Sequence, residues 1–214
     1  MNVLPNISVD NFISDEELAI LEKLISEDHV FKTLTQKWGK NKGQVISEYQ
    51  HFNYNDNVKI KEILENKFKK YFDRNFHMRI GYLLNSINPF GIHNDCDAVT
   101  PGYVSTYTII IPLDTYKSST IIFNEYQEED SNFDLFVSNY NGDLSLKMEP
   151  KFCAKNLSHI SPDQLIYLTL NEVFYWNKGS MFAFDSRRFH SGDNHIKNGV
   201  SNKRGLVFHM EEVI

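Results

Sequence analysis

Cysteine is scarce in this sequence, which contains only Cys96 and Cys153 among its 214 residues. Two thiols cannot build the disulfide framework on which small secreted proteins depend. The first residues, Asn2-Val3-Leu4-Pro5, lack the charged and apolar regions of a signal peptide. The sequence therefore predicts a protein of the reducing cytoplasm.

Long apolar runs and an excess of basic charge are also absent. The longest apolar run, residues 109–113, is far shorter than the ~20 residues that span a bilayer, so no membrane segment is expected. The formal net charge is -6, whereas proteins that bind nucleic acid neutralise phosphates with basic side chains, so nucleic acid is not an expected partner. This length predicts one domain over residues 1–214, large enough to bury about 70% of its unfolded surface.

Histidine and aspartate occur in a pattern that suits a metal. His93 and Asp95 are separated by one residue, and side chains alternate along a strand, so both can reach one ion. With His190 they form a set of two imidazoles and one carboxylate, which suits Fe(II) and leaves positions open for substrates. Arg204 follows, and its planar guanidinium suits bidentate binding of a second carboxylate.

Two rival ligands need to be weighed. Asp97 could replace Asp95 only if the chain left extended geometry. His195 lies in the polar loop Gly192-Asp193-Asn194-His195, whereas His190 directly follows an apolar strand. We therefore predict that Asp95 and His190, and not Asp97 and His195, are the metal ligands.

Residues 178–192 and 202–209 resemble the last two core strands of the 2-oxoglutarate- and iron(II)-dependent dioxygenases. In that family a glycine turn leads into an apolar strand, a distal iron-binding histidine, a loop, and an arginine on the next strand. The similarity spans roughly residues 81–210, with interruptions. It implies a mainly β fold, a double-stranded β-helix (a jelly roll of the cupin kind) supported by N-terminal helices.

The resemblance also implies a reaction. Fe(II) would be held by His93, Asp95 and His190, and 2-oxoglutarate would chelate the iron and meet Arg204 with its distal carboxylate. With O2, the cosubstrate would be decarboxylated to succinate and CO2 while a C–H bond of a small molecule or peptidyl residue is hydroxylated. Related halogenases replace the carboxylate ligand with a small residue, so Asp95 favours hydroxylation.

Several further residues are candidates for binding. Many family members have a serine two residues after the arginine, where this chain has Leu206, so the distal carboxylate needs other ligands, and Asn85 and Thr108 are predicted. Both could equally be ordinary polar residues of strands. Arg187 and Arg188 could anchor an anionic substrate, or pair structurally with Asp185 or Asp193.

The first 77 residues are predicted to be mainly helical support. Ser14-Asp15-Glu16-Glu17 is a capping box that starts one helix, and apolar residues keep helical spacing after it. A second helix is predicted over Val58–Asp73, where one stripe of apolar residues faces a core.

Residues 78–214 are predicted to form the jelly-roll core. Turn residues separate short segments rich in β-branched and aromatic residues. The predicted strands are Met78–Ile87, Ser105–Leu113, Thr120–Phe123, Val173–Trp176, Ser180–Asp185 and Gly205–Glu211.

An insertion is predicted at about residues 124–178, because that stretch is longer than a hairpin needs. Ser161-Pro162-Asp163-Gln164 is a second capping box, which predicts a short helix to about Asn171. The insertion either covers the open end of the barrel with its aromatic residues or lies on the surface. The aromatic residues are Phe133, Phe136, Tyr140 and Phe152.

Two other functions remain open. A non-catalytic jelly-roll binding module would not bind 2-oxoglutarate. A metal-dependent cupin enzyme that does not use 2-oxoglutarate would more often have a ligand set rich in histidine.

Overall fold

The computed structural model describes residues 3–26, 32–35, 43–52, 58–72, 76–96, 106–127 and 133–212. Ten strands lie in these segments. They are β1 (Ile7–Val9), β2 (Lys32–Thr35), β3 (Val45–Phe52), β4 (Phe76–Ser86), β5 (Tyr107–Pro112), β6 (Ser119–Tyr126), β7 (Leu170–Tyr175), β8 (Met181–Asp185), β9 (Arg188–Gly192) and β10 (Lys203–Glu212).

Five helices accompany the strands in the described segments. They are α1 (Asp15–Ser26), α2 (Val58–Phe68), α3 (Phe133–Asn139), α4 (Pro150–Asn156) and α5 (Pro162–Leu165). None of these helices has the length and apolar character needed to cross a membrane.

The strands form two sheets, as the jelly-roll prediction requires. The larger sheet has the order β1-β8-β5-β10-β4-β3-β2, and the smaller has the order β7-β6-β9. All the pairings are antiparallel. The inner faces of the two sheets share an apolar cluster that includes Ile122, Phe182 and Val207.

Side-chain alternation gives the larger sheet two different faces. On β10, Leu206, Phe208 and Met210 are buried in the cluster that α1 and α2 complete. The residues between them, including Val207, face the smaller sheet. The helices therefore cover the outer face of the larger sheet and leave its inner face for a cavity.

The N-terminal prediction is partly confirmed. The Ser14 amide donates to the Glu17 carboxylate at 3.0 Å and the Glu17 amide donates to the Ser14 hydroxyl at 3.2 Å, so the capping box forms. The helical description of residues 1–77 is nevertheless incomplete, because β1, β2 and β3 also lie there and join the larger sheet. Within the second predicted helix, α2 ends at Phe68, and Asp73 lies outside the described residues.

The insertion packs on the outer face of the smaller sheet. Phe133 and Phe136 contact Phe189 of β9, with ring centroids 5.1 Å and 4.9 Å away. Of the two predicted arrangements, the described residues of the insertion therefore adopt the surface one. The second capping box does not form, since the Ser161 hydroxyl donates to the Asp163 carboxylate and makes no bond to the helix backbone, and α5 ends at Leu165.

Candidate metal centre and cavity

His93, Asp95 and His190 converge between the two sheets. One ligand atom from each lies within 4.8 Å of the others. The distance from His190 Nε2 to Asp95 Oδ2 is 3.4 Å, and that from His93 Nε2 to Asp95 Oδ1 is 3.8 Å. Reciprocal backbone hydrogen bonds of 3.1 Å and 2.8 Å join His93 to His190, so the two rings are held side by side.

Both imidazoles are oriented by their second nitrogen. His93 Nδ1 is 2.8 Å from the Gly91 carbonyl, and His190 Nδ1 is 3.1 Å from the Arg188 carbonyl. A carbonyl only accepts, so each Nδ1 carries the proton and each Nε2 keeps its lone pair for a metal. Phe90 stacks on the His93 ring at 5.2 Å and further restricts it.

The protonation of these groups suits metal binding. Burial, with the charge of His93, lowers the pKa of His190 to about 4, so the imidazole is neutral near pH 7. Burial raises the pKa of Asp95, but the neighbouring histidines and the Thr108 hydroxyl outweigh it, and the net pKa is lowered. Two imidazoles and one carboxylate form the donor set that Fe(II) takes in a facial arrangement. The residues therefore fit the iron that the sequence predicted.

A cavity of about 280 Å³ opens beside the three ligands. Its walls come from β2, β3, β4, β5 and β10 on one side and from the smaller sheet and its connections on the other. The lining residues are Leu34, Ser47, Tyr49, His51, Tyr82, Leu84, Ser86, Phe90, His93, Asp95, Thr108, Ile110, Thr120, Trp176, His190, Gly192, Lys203 and Val207.

Lys203 brings a cation into this cavity. Its side chain is 3% exposed, and its ammonium donates to the Ser118 hydroxyl at 2.9 Å and to the Ser119 carbonyl at 3.3 Å. The ammonium also lies 4.3 Å from the Trp176 ring centroid. Burial lowers the pKa of Lys203 to about 8, although Asp193 opposes the shift.

Arg204 does not lie in the cavity, which corrects its predicted position. Its guanidinium pairs with Glu22 of α1 at 3.2 Å, and both side chains are partly exposed. Asn85 of β4 also points away from the cavity, donating to Glu48 and accepting from Asn202. Both positions have the parity that faces the helical side of the larger sheet.

Thr108 does line the cavity, but it contacts the metal ligands. Its hydroxyl donates to Asp95 Oδ2 at 2.7 Å. Its predicted contact with a distal carboxylate stays a prediction, and the contact that the structure shows is with the carboxylate ligand.

The two candidate substrate arginines bond to protein groups. Arg187 is buried and donates to both oxygens of Asp185, the structural pairing that the sequence left open. Arg188 donates to the carbonyls of Phe123 and Asn124. Neither arginine is among the residues that line the cavity.

The structure places one of the two rival ligands. His195 is buried near Lys203 and is not part of the metal-binding group. Asp97 lies outside the described residues.

Sequence reasoning missed Lys203, although the signal was present. Leu206, Phe208 and Met210 alternate as apolar residues on the last strand, so Lys203 has the opposite parity and Arg204 the same parity. The motif match favoured arginine, while the alternation pointed to lysine.

The fold matches solved structures. SnoN, a non-heme alpha ketoglutarate dependent epimerase from nogalamycin biosynthesis, has a TM-score of 0.61 at 10% identity, covering 97% of this chain and 78% of that chain. HygX from Streptomyces hygroscopicus, with nickel and 2-oxoglutarate bound, has a TM-score of 0.53 at 8% identity, covering 98% and 83%. A prolyl-4-hydroxylase from Pseudomonas putida has a TM-score of 0.52 at 7% identity, covering 98% and 93%.

The likeness confirms the predicted fold. No protein-family model matches this sequence, and no curated protein sequence matches it. At such low identities the structural likeness establishes the jelly roll of the 2-oxoglutarate oxygenases, and the residues of the site must carry the argument about function.

Proposed function

We propose that this chain is a 2-oxoglutarate- and Fe(II)-dependent dioxygenase that hydroxylates a C–H bond of a small molecule or peptidyl residue. The observation that carries the proposal is one cavity containing both a His93, Asp95 and His190 cluster and a buried lysine, Lys203. A metal site and a cation in one cavity match the two ends of a 2-oxo dicarboxylate.

The three ligands have the first role. His93 and His190 would hold Fe(II) through Nε2, and Asp95 would hold it through a carboxylate oxygen. The bound iron supplies the activation of O2 that is coupled to oxidative decarboxylation of 2-oxoglutarate to succinate and CO2. The protein positions the reactants and shields them from water.

Lys203 replaces Arg204 as the residue for the distal carboxylate of 2-oxoglutarate. Of the three protons of its ammonium, the Ser118 hydroxyl and the Ser119 carbonyl accept two, and Asp193 Oδ1 lies 4.0 Å away, beyond hydrogen-bond distance, so the third can be donated to a ligand. The burial that lowers its pKa disfavours the charged form, and a carboxylate bound beside it stabilises that form.

The binding-module alternative lacks a reason for this cation. Asp193, 4.0 Å from the buried ammonium, offsets part of the desolvation cost, but a non-catalytic jelly roll has no need for a cation in the cavity of a metal site. The ligand set also contains only two histidines, whereas the cupin alternative would more often have a set rich in histidine.

The proposal is tested by measuring 2-oxoglutarate binding and succinate release by the iron-loaded protein. Oxygen-free protein with Fe(II) should bind 2-oxoglutarate, and after transfer to air it should release succinate in proportion to the cosubstrate consumed. Asp95→Ala should abolish succinate release. Asp97→Ala is the matched control and should retain it.

Each failure has a separate meaning. Metal binding without 2-oxoglutarate binding would favour the non-catalytic module or the cupin enzyme. Full activity of Asp95→Ala would move the carboxylate ligand elsewhere. Screening substrates for stimulated succinate release would then identify the substrate class.

A further inference from the structure

A line of hydrogen bonds lies behind the carboxylate ligand. Tyr82 Oη is 3.1 Å from His209 Nε2, His209 Nδ1 is 3.4 Å from Thr108 Oγ1, and Thr108 Oγ1 is 2.7 Å from Asp95 Oδ2. Tyr82, His209 and Thr108 belong to β4, β10 and β5, which are adjacent in the larger sheet. The line therefore crosses three strands and ends at the metal site.

The donors in this line can be assigned from its metal end. A carboxylate that holds a metal only accepts, so Thr108 donates its single proton to Asp95. Thr108 Oγ1 must then accept from Ser186, whose hydroxyl is 3.0 Å away, and from His209 Nδ1. These three bonds use the full capacity of a hydroxyl group.

The same logic fixes the tautomer of His209. Its ring is fully buried, and burial lowers its pKa, although Asp95 opposes the shift. With the proton on Nδ1, the neutral ring has a lone pair on Nε2, so the Tyr82 hydroxyl donates to it. Every bond then donates toward Asp95, and hydrogen bonds aligned in this way polarise one another.

We propose that Tyr82 and His209 are positioning residues, which orient the Asp95 carboxylate for the metal through the Thr108 hydroxyl. The inference rests on the metal site of the proposed function. Its physical basis is that a carboxylate can rotate and offer either oxygen, whereas a hydrogen bond on Oδ2 fixes the plane of the group. Tyr82 also lines the cavity, so the line connects the cavity wall to a metal ligand.

The experiment measures metal binding, which is independent of turnover. Co²⁺ is titrated into oxygen-free protein by calorimetry, and the visible spectrum of bound Co²⁺ reports the ligand geometry. The variants are Tyr82→Phe and Thr108→Val, which remove only hydroxyl groups, and Thr108→Ser, which keeps one. Tyr49→Phe is the matched control, because Tyr49 lines the same cavity and touches the Tyr82 ring outside this line.

The expected results form a graded series. Thr108→Val should weaken Co²⁺ binding about 10–100-fold, as loss of a hydrogen bond to a metal ligand does, and Thr108→Ser should restore most of it. Tyr82→Phe should weaken binding about twofold to tenfold, the range of one neutral hydrogen bond, and should shift the Co²⁺ spectrum in the same direction. Tyr49→Phe should leave affinity and spectrum unchanged.

The contrary results are distinct. Wild-type affinity and spectrum in Tyr82→Phe, with loss in Thr108→Val, would overturn the inference and leave the proposed function intact. A shift in Tyr49→Phe as large as that in Tyr82→Phe would also overturn it, since the effect would then be general to the cavity wall. A wild-type protein that binds no Co²⁺ would overturn the inference and the proposed function together.

Discussion

Lys203 and Arg204 are neighbours on β10, and their side chains lie on opposite faces of the larger sheet. Lys203 reaches the cavity and is 3% exposed, whereas Arg204 pairs with Glu22 and is 42% exposed. A change of one residue in strand register would exchange their positions. Substituting each of these two adjacent residues in turn therefore tests which of them binds the proposed cosubstrate.

Lys203→Met should weaken 2-oxoglutarate binding by about 10–100-fold, because a hydrogen bond to a charged group contributes about 1.5–3 kcal/mol. Metal affinity should change little. Calorimetric titration of metal-loaded, oxygen-free protein measures both quantities.

Arg204→Ala is the matched control, and 2-oxoglutarate binding should stay close to that of wild type, because Arg204 pairs with Glu22 and does not line the cavity. Glutarate, which lacks the keto group, should bind weakly to all the proteins. A large loss in Arg204→Ala with none in Lys203→Met would return the role to Arg204.

The contrast between these two residues shows what the sequence could and could not predict. His93 and Asp95 could be predicted from their residue types and period-two spacing, and His190 from its place directly after an apolar strand. The prediction named Arg204 from the family motif, whereas the alternation along β10 places Lys203 in the cavity.

Other features of the site could not be predicted from the sequence, because they depend on contacts between distant parts of the chain. β3 carries Tyr49 and His51 into the cavity wall, yet its sequence, VISEYQHF, mixes polar and apolar residues without a clear period. Its pairing with β4 gives it a place in the sheet. The line from Tyr82 to Asp95 was not predictable either, since its members come from three strands that only the fold makes adjacent.

Gly179→Ala should destabilise the protein more than Gly199→Ala. Both glycines have positive φ, +67° and +83°, which costs a residue with a Cβ roughly 1–2 kcal/mol. A Cβ at Gly179 would also lie 2.5 Å from the Ile13 carbonyl oxygen, whereas nothing lies within 4 Å at Gly199. Urea unfolding compares the two variants, and equal losses would contradict the role of the Ile13 contact.

Ser14→Ala should lower the free energy of unfolding by about 1 kcal/mol, because it removes the hydroxyl that caps α1. Ser161→Ala is the matched control, since Ser161 precedes α5 without a side-chain bond to its backbone. Its effect should be smaller. Urea unfolding measures both losses. If Ser161→Ala lowered the free energy of unfolding as much as Ser14→Ala, the assignment of Ser14 as the cap of α1 would be wrong.

Arg187→Met should destabilise the protein by about 3–5 kcal/mol at pH 7, because it leaves the buried carboxylate of Asp185 without its cation. Burial raises the pKa of Asp185, but hydrogen bonds from Arg187 and the Leu4 amide outweigh it and lower the net pKa below the ordinary 3.8. Urea unfolding of wild type and variant at several pH values measures the difference.

The sign of the pH dependence follows from that lowered pKa. A depressed carboxyl pKa contributes stability above the unfolded value, and the contribution is lost as pH falls through the folded value. Without Arg187, burial would raise the pKa of Asp185 in the variant, so the advantage of wild type over Arg187→Met should be full at pH 7 and should shrink progressively as pH falls and the carboxyl group is protonated. Arg188→Met, which among the described residues removes bonds to two carbonyl groups, should show a loss that does not change with pH. An advantage over Arg187→Met that persisted unchanged in acid would show that Arg187 stabilises the fold by packing and not by its charge.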